Sequence, residues 1–400
     1  MINIAVLGYG TVGSGVVEIL DRNKDVVSDH AGQDINVKYV LDLRDFPGDP
    51  VQEKIVHDFD IIVNDPEIKI VVEVMGGVEP AFTFTKKALE AGKSVVTSNK
   101  ELVARHGAEL LKIAKENNIN FLFEASVGGG IPIIRPLYSS LTADHIIEIL
   151  GIVNGTTNYI LTKMFVEGAQ FEDVLSQAQA LGYAERNPSA DVDGFDAGRK
   201  IAILSSLTND KFVHFEDVYT EGITKITADD FVYIKKMNQN VKLLAYSKKT
   251  EEGLYCMVSP FLLDSTHPLY NVHDVFNAVY VKSDMLGETM YYGKGAGKLP
   301  TASAVVSDVV DAVRHLNVAI KMNLSLEGMT LLNFENFECP FFVRISKEKL
   351  EEAKALLPVV DVVDAGLEGE IAVITDAMSQ KAFADAAAKL DIITRIRIYK

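Results

Sequence analysis

Apolar runs and helix-spaced stripes alternate along the first third of the chain. INIAVLG, starting at Ile2, is a continuous apolar run of the kind that forms a strand buried on both faces. VGSGVVEILDRN then spaces its apolar residues at helical intervals. INVKYVLDL, IKIVVEVMGG, SVVTSNK and INFLFEAS read as further strands, with PAFTFTKKALEAG and ELVARHGAELLKIAKENN as helices between them. The first of these two helices opens on proline and closes on glycine, a matched start and stop. This alternation predicts βαβ units and a Rossmann-type, doubly wound parallel sheet over residues 1–130.

The pattern changes over residues 131–300. Strand-like HIIEILGIVNG leads into helical segments, followed by strand-like VKLLAYS, LYCMVSPFLL, FNAVYV and ETMYYG with turn residues between them. A mixed α+β domain is expected there. TASAVVSDVVDAVRHL has helical spacing, and this helix, about 300–318, is expected to pack back on the first domain and complete it. Residues 319–336 read as a linker. Residues 337–400 run PFFVRIS, EKLEEAKALL, VVDVVDAG, EIAVITD, QKAFADAAAKL and ITRIRIYK, a small βαββαβ domain. No internal repeat or low-complexity tract is present.

One stripe stands out chemically. In GFDAGRKIAIL, helical register puts Asp196 and Lys200 four apart on a face that continues through apolar Ile203, Leu204 and Leu207. An exposed pair at that spacing contributes only about 0.3–0.5 kcal/mol. A pair that opens a buried stripe is placed for something else. Asp193, just ahead, reads as a cap favoured by the helix dipole.

Composition narrows the function classes. The 400 residues are 48% apolar and 24% charged, as in ordinary folded domains, and the formal charge is −17. Such acidity repels phosphate backbones and anionic lipid, so neither nucleic acid nor a membrane is expected as a partner. No apolar run approaches a membrane span, and the N-terminus enters a strand pattern with no secretory signature. Cys256 and Cys339 have neither metal-ligand spacing nor a disulfide framework, which fits a reducing compartment. A cytoplasmic location is expected. His106, His145, His214, His267, His273 and His315 are scattered singly and are assigned no chemistry.

Gly8-Tyr9-Gly10-Thr11-Val12-Gly13 matches G-x-G-x-x-G between a strand and a helix. The first glycine permits the tight turn, the second the approach of a pyrophosphate, and the third close helix–strand packing. Phosphates would then meet unpaired N–H groups and the positive end of the helix. At the end of the second strand, Asp42 could accept from a ribose 2′-hydroxyl and Arg44 could pair with a 2′-phosphate, so NAD and NADP both remain open. The later cluster YYGKGAGKLPTAS is no Walker loop, because leucine follows Lys298 where Ser or Thr is required. It reads as a flexible turn or as backbone lying close to the nicotinamide end.

The glycine turn, SNK at 98–100, FEASVGGGIP, GIVNGTTNYIL and GFDAGRK stand in one order that resembles homoserine dehydrogenase over residues 1 to about 320. The C-terminal βαββαβ segment is similar to an ACT-type regulatory domain. The resemblance implies NAD(P)-dependent interconversion of L-aspartate 4-semialdehyde and L-homoserine, in threonine, methionine and isoleucine biosynthesis. It implies that residues 131–300 carry substrate binding, catalysis and the contacts of a homodimer or dimer of dimers. Lys200 takes the acid–base role. Glu185, Asp196, Lys100 and Thr156 fall at substrate-binding positions. Gly8, Gly10, Thr11, Val12, Gly13, Arg44, Gly76, Ser98, Lys100, Gly182 and Gly297 fall at cofactor positions. Glu124, Val127, Gly129 and Ile131 match the holders of a structural sodium ion, mainly through backbone oxygens.

The residue types suit that reaction. Hydride reaches carbon from the nicotinamide, while a lysine supplies the proton to oxygen and stabilises the developing oxyanion. Asp and Glu can hold a substrate ammonium. Another NAD(P)-dependent amino-acid or semialdehyde dehydrogenase is the neighbouring reading. An acylating semialdehyde dehydrogenase would need a reactive thiolate, and neither cysteine lies in a βα loop. A dinucleotide-sensing regulatory protein would need a DNA-binding element, and no basic stripe exists. The ACT-like segment departs from its family in one respect. SKEKLEE, its first strand–helix loop, contains no glycine, which argues against amino-acid feedback through that loop.

Overall fold

The computed structural model describes residues 1–400. Two compact units divide the chain. One comprises Met1–Ala143, Ala202–Phe215 and Gly293–Met329, the other Asp144–Ile201, Glu216–Tyr292 and Thr330–Lys400.

In the first unit six strands, β1 (Ile2–Leu7), β2 (Ile35–Leu41), β3 (Ile55–Val56), β4 (Ile68–Glu73), β5 (Ser94–Thr97) and β6 (Phe121–Leu122), form one sheet in the order β3-β2-β1-β4-β5-β6. Every pairing is parallel. The chain leaves β1 on one side for β2 and β3, then returns to the other side for β4. That reversal opens a crevice beyond the carboxyl ends of β1 and β4, where open α/β sheets bind ligands. β1 and β4 are apolar because helices cover both faces, and Ile4, Val6, Ile70 and Val72 are fully buried. The helix Lys298–Arg314 packs on α1 (Thr11–Arg22) so tightly that a Cβ on Gly15 would lie 2.9 Å from the Ala302 Cβ.

Two elements differ from the sequence expectation. Beyond Asn23 the chain forms a second helix, α2 (Lys24–Ala31), closed by Gly32 at φ +74°. This extra element lengthens the path from the glycine turn to Asp42. INFLFEAS yields only the two-residue strand β6, because Glu124–Ser126 turns into a 3₁₀ helix.

In the second unit a ten-stranded sheet is built around β7 (Ile146–Ile152), which pairs antiparallel with Gln239–Lys249 and Phe276–Ser283. Leu254–Asp264 continues the sheet. Beside Leu254–Asp264 lies the last strand, Ile392–Ile398, in a short parallel register with Phe261 opposite Arg397, and the C-terminal strands continue the sheet from there. Apart from two added two-residue strands, Glu338–Cys339 and Met378–Ser379, which pair with each other, the C-terminal elements run strand, helix, two strands, helix, strand. They share one core with the middle sheet: Leu150, Tyr246, Met257 and Phe261 belong to the same buried cluster as Phe341, Val343 and Phe383.

This unit also buries a lysine. Lys242, 1% exposed, donates to Asn158 Oδ1 and to the Val272 carbonyl. Burial pushes its ammonium down from 10.5 to about 7, against the attraction of Asp274. The depressed value means that the unfolded chain binds the extra proton between pH 7 and 10.5, so stability rises with pH over that window. The rise due to Lys242 is expected to reach at most about 4 kcal/mol. Lys242→Met should remove it, as measured by urea unfolding at pH 7 and pH 10.

Candidate functional site

The glycine turn at the end of β1 has the geometry of a phosphate cradle. Gly8 adopts φ +98° and donates its N–H to Leu41 O at 2.7 Å, which an L side chain would strain. A Cβ on Gly13 would lie 1.9 Å from Gly8 O, so only glycine lets α1 sit against the turn. A Cβ on Gly10 would meet nothing within 4 Å, leaving the turn open on that side. Gly10 is also the N-cap of α1 and no side chain caps that end, so the amides beginning at exposed Thr11 and half-buried Val12 point to a ligand site. The donor set suits a pyrophosphate.

At the end of β2, Asp42 accepts from Tyr9 N at 2.8 Å, and Arg44 donates to it from Nε at 2.9 Å and Nη2 at 3.1 Å. Arg44 holds the Asp42 carboxyl down at about 2, with the Tyr9 and Arg44 amides assisting against partial burial. The guanidinium itself is solvent-exposed and lies 5.1 Å from the centre of the Phe46 ring.

The ends of β4 and β5 hold a network that sequence reasoning missed. Glu73 is fully buried and accepts from Thr97 Oγ1 at 2.5 Å and from Met75 N at 2.9 Å. Burial pushes its carboxyl up, against these hydrogen bonds. Thr97 Oγ1 accepts from Asn99 N, and Asn99 Nδ2 donates to Gly77 O at 2.6 Å. The Asn99 side chain caps the helix Lys100–Glu116. Gly76, exposed at φ +84°, Ser98 and Lys100 are chain neighbours of this buried network, and Ser98 N also donates to the Glu73 main-chain oxygen. The available signal was the single acid in IKIVVEVMGG.

FEASVGGGIP and the later glycine cluster meet backbone to backbone. Gly130 N donates to Lys294 O at 3.1 Å, and a Cβ on Gly129 would lie 2.3 Å from Gly295 O. Close packing explains these glycines. Gly297, at φ +117°, is the N-cap of the helix Lys298–Arg314, and no side chain caps that end either. The Glu124 carboxylate accepts from the amides of Ile133, Ile134 and Arg135 at 2.6–2.8 Å. It is thereby committed to capping the 133–135 turn. What Glu124 can offer a cation, together with buried Val127, Gly129 and Ile131, is main-chain oxygen.

In the second unit the opposite charges on the helix Phe195–Asn209 are buried. Lys200 Nζ donates to Asp196 Oδ2 at 2.7 Å and to Val153 O at 2.6 Å, with side-chain exposures of 11% and 4% for Lys200 and Asp196. The exposed surface pair is excluded by these values. Asn154, also missed in the sequence, caps the helix Gly155–Glu167 by accepting from Thr157 N. Its Nδ2 bridges Asp191 Oδ1 at 2.7 Å and Asp196 Oδ2 at 2.9 Å. GIVNGTTNYIL and GFDAGRK thus form one polar cluster. Thr156 Oγ1 donates to Tyr183 O at 2.6 Å, tying down the loop that carries Gly182, at φ +75°, and the exposed Glu185. Asp193 does not act as the expected side-chain cap: it ends the short helix Ser189–Val192 and accepts from Ser189 Oγ at 2.5 Å.

Neither cysteine is placed as a nucleophile. Cys256 and Cys339 are both buried, and burial pushes the Cys339 thiol up to about 11.

The chain is similar to known proteins over its whole length. Residues 8–124 match the family model described as homoserine dehydrogenase, NAD binding domain, and residues 132–310 match the homoserine dehydrogenase model. The homoserine dehydrogenase of Bacillus subtilis is 44% identical over 80% of this chain and 75% of its own length. That of Neisseria gonorrhoeae is 36% identical over 98% and 95%. A crystal structure of a homoserine dehydrogenase from Thiobacillus denitrificans superposes with a TM-score of 0.91 at 36% identity, over 100% of this chain and 98% of that one. A hyperthermophilic archaeal homoserine dehydrogenase in complex with NADPH superposes at 0.65 with 32% identity, over 78% and 97%.

Proposed function

The chain belongs to the homoserine dehydrogenase family, and from that premise we propose that Lys200 is the group that moves the proton when L-homoserine and L-aspartate 4-semialdehyde are interconverted. NAD(P), when bound at the glycine turn, accepts or delivers the hydride. The buried Lys200–Asp196 contact carries this reading. Asp196 Oδ2 and Val153 O fix the Lys200 amine in this cluster; as the ammonium it gives a proton to the substrate oxygen when the carbon gains hydride, and as the neutral amine it takes that proton when the carbon loses hydride. Glu185 is proposed to hold the substrate ammonium from its exposed loop, with Thr156 fixing that loop and Lys100 also contacting substrate. Homoserine-dependent reduction of NAD(P) by the purified protein tests the activity. A protein that binds the dinucleotide without turnover would favour the sensing role instead.

The coenzyme contacts fall at Gly8, Gly10, Thr11, Val12, Gly13, Gly76, Ser98, Lys100, Gly182 and Gly297. Arg44 and Asp42 are paired with each other, but the guanidinium is the exposed partner and the carboxylate the buried one, which supports a 2′-phosphate contact by Arg44. Arg44→Ala is expected to lower the NADP/NAD ratio of kcat/KM by about 10- to 100-fold, the loss of a charge-assisted contact. An unchanged ratio would place the 2′-group elsewhere.

The main-chain oxygens of Glu124, Val127, Gly129 and Ile131 suit a hard cation such as sodium, which would order this loop. The edge strand Glu288–Lys294 exposes Met290 and Tyr292, which supports pairing with a second copy in a homodimer. The C-terminal βαββαβ order supports the ACT-like reading, and the 3₁₀ turn Lys347–Lys349, without glycine, gives no support to amino-acid feedback at that loop. No helix is long and apolar enough to cross a membrane, and we place the enzyme in the cytoplasm, in threonine, methionine and isoleucine biosynthesis.

A further inference from the structure

A short segment, Tyr219–Ile223, lies between the last strand of the chain and the start of the helix that carries Lys200. Tyr219 and Thr220 pair parallel with Met257 and Val258, and Glu221 N donates to Val258 O at 2.8 Å. On one side the segment presses against the Lys200 helix. A Cβ on Gly222 would lie 2.0 Å from Val192 O, and Ile223 N donates to that same carbonyl at 2.9 Å. The Thr220 methyl lies 3.0 Å from where a Gly194 Cβ would be, and Thr220 Oγ1 3.4 Å from a Cβ on Gly198. The two glycines of GFDAGRK are therefore the surface on which this segment rests.

On its other side the segment is anchored to the C-terminal strand. Glu221 Oε2 accepts from Arg397 Nη1 at 2.6 Å, and Glu221 Oε1 lies 3.0 Å from Arg395 Nη1. Tyr219 OH adds a bond at 3.1 Å. Arg397 is 1% exposed. It donates from Nε to Gln380 Oε1 at 3.0 Å and from Nη1 to Ser259 Oγ, and it lies against the stacked rings of Tyr219 and Phe334. Burial disfavours the Glu221 charge, and the two guanidiniums outweigh it, holding that carboxyl below its usual range. Glu221, Arg395 and Arg397 do no chemistry in the reaction described above, yet the segment they hold meets the turn leading into the proton-transfer helix, by Gly222 backbone at Val192 and by the Thr220 side chain at Gly194 and Gly198.

We propose that Glu221, clamped by Arg395 and Arg397, is a positioning residue. The C-terminal strand holds Tyr219–Ile223 against the Val192–Gly198 turn and so sets the placement of Asp196 and Lys200. The effect on turnover rests on the assigned role of Lys200. The mechanical coupling does not.

The test is Glu221→Gln in the full-length protein, with steady-state kinetics and backbone hydrogen exchange. A displacement near 1 Å at a reacting group costs on the order of 100-fold in rate. The expected result is a kcat lowered by about 10- to 100-fold, KM for the coenzyme within about twofold, and exchange accelerated at 192–200 but not at 100–116. Arg395→Met, at a partly exposed side chain that leaves the Arg397–Glu221 contact in place, should show the same pattern more weakly, and Arg395→Lys should restore it. It is the variant to read if Glu221→Gln does not fold. Unchanged exchange at 192–200 overturns the proposal, as does exchange accelerated equally throughout the chain. Lys200→Ala separates the two readings. If that variant kept turnover, the proton-transfer role would fail, while exchange at 192–200 in the Glu221 variant would still decide the coupling.

Discussion

Lys200→Ala is expected to lower kcat by at least about 10³-fold, combining the loss of a positioned acid–base group with the loss of charge stabilisation at the reacting oxygen. Coenzyme affinity should stay within about twofold, because the glycine turn and its helix belong to a different stretch of chain. The change also leaves Asp196 buried with its cation gone, and breaking a buried ion pair from one side costs about 3 kcal/mol. Loss of turnover could then be confused with loss of fold. The double variant Asp196→Asn with Lys200→Met removes both charges, so most of the stability should return while turnover does not. Coenzyme binding by fluorescence, thermal unfolding and steady-state rates on the three proteins check this. Near-normal kcat in the single variant would refute the role of Lys200.

Gly13→Val is expected to weaken coenzyme binding by more than about 100-fold, because the cradle itself must deform. The clash is with backbone: the first side-chain carbon would sit 1.9 Å from Gly8 O and 3.2 Å from a Val74 side-chain carbon. The Gly8 carbonyl cannot swing away as the end of a flexible side chain could. α1 must tilt off the sheet, taking its uncapped amides from the position where a pyrophosphate would meet them. Overpacking of this kind also destabilises by about 1–3 kcal/mol. Gly10→Ala makes the contrast, since a Cβ there meets no protein atom within 4 Å. It should fold as well as the parent and lose affinity only where the ligand approaches. Isothermal titration of both variants with NADPH and NADH separates the two effects. Equal affinity in Gly13→Val and the parent would show that the turn does not hold the coenzyme.

Much of the fold was legible because its signals are local. Continuous apolar runs marked β1 and β4, a proline and a glycine bracketed the helix after β4, and the glycine turn announced the crevice. The limits of local reading show in particular residues. α2 was missed because Asn23 interrupts an otherwise continuous stripe. The strand ending in FEAS was overlong because Glu124 is drawn to three distant amides, a pull that no local pattern reports. Glu73 was passed over because an acid in an apolar run cannot be told from a sequence irregularity until Thr97 and Met75 are seen to satisfy it.

By itself, then, the sequence determined the element order, the dinucleotide turn, the family and the identity of the Asp196–Lys200 pair. Those depend on spacing along one strand or helix, which covalent geometry carries directly into space. Only the tertiary structure decided that the pair is buried, that Asn154 and the Val153 carbonyl hold it, and that Glu221 meets Arg397. Burial and long-range partnering are set by which surfaces meet after the chain folds. A hydrogen bond between residues 221 and 397 leaves no periodicity in the intervening sequence for a reader to find.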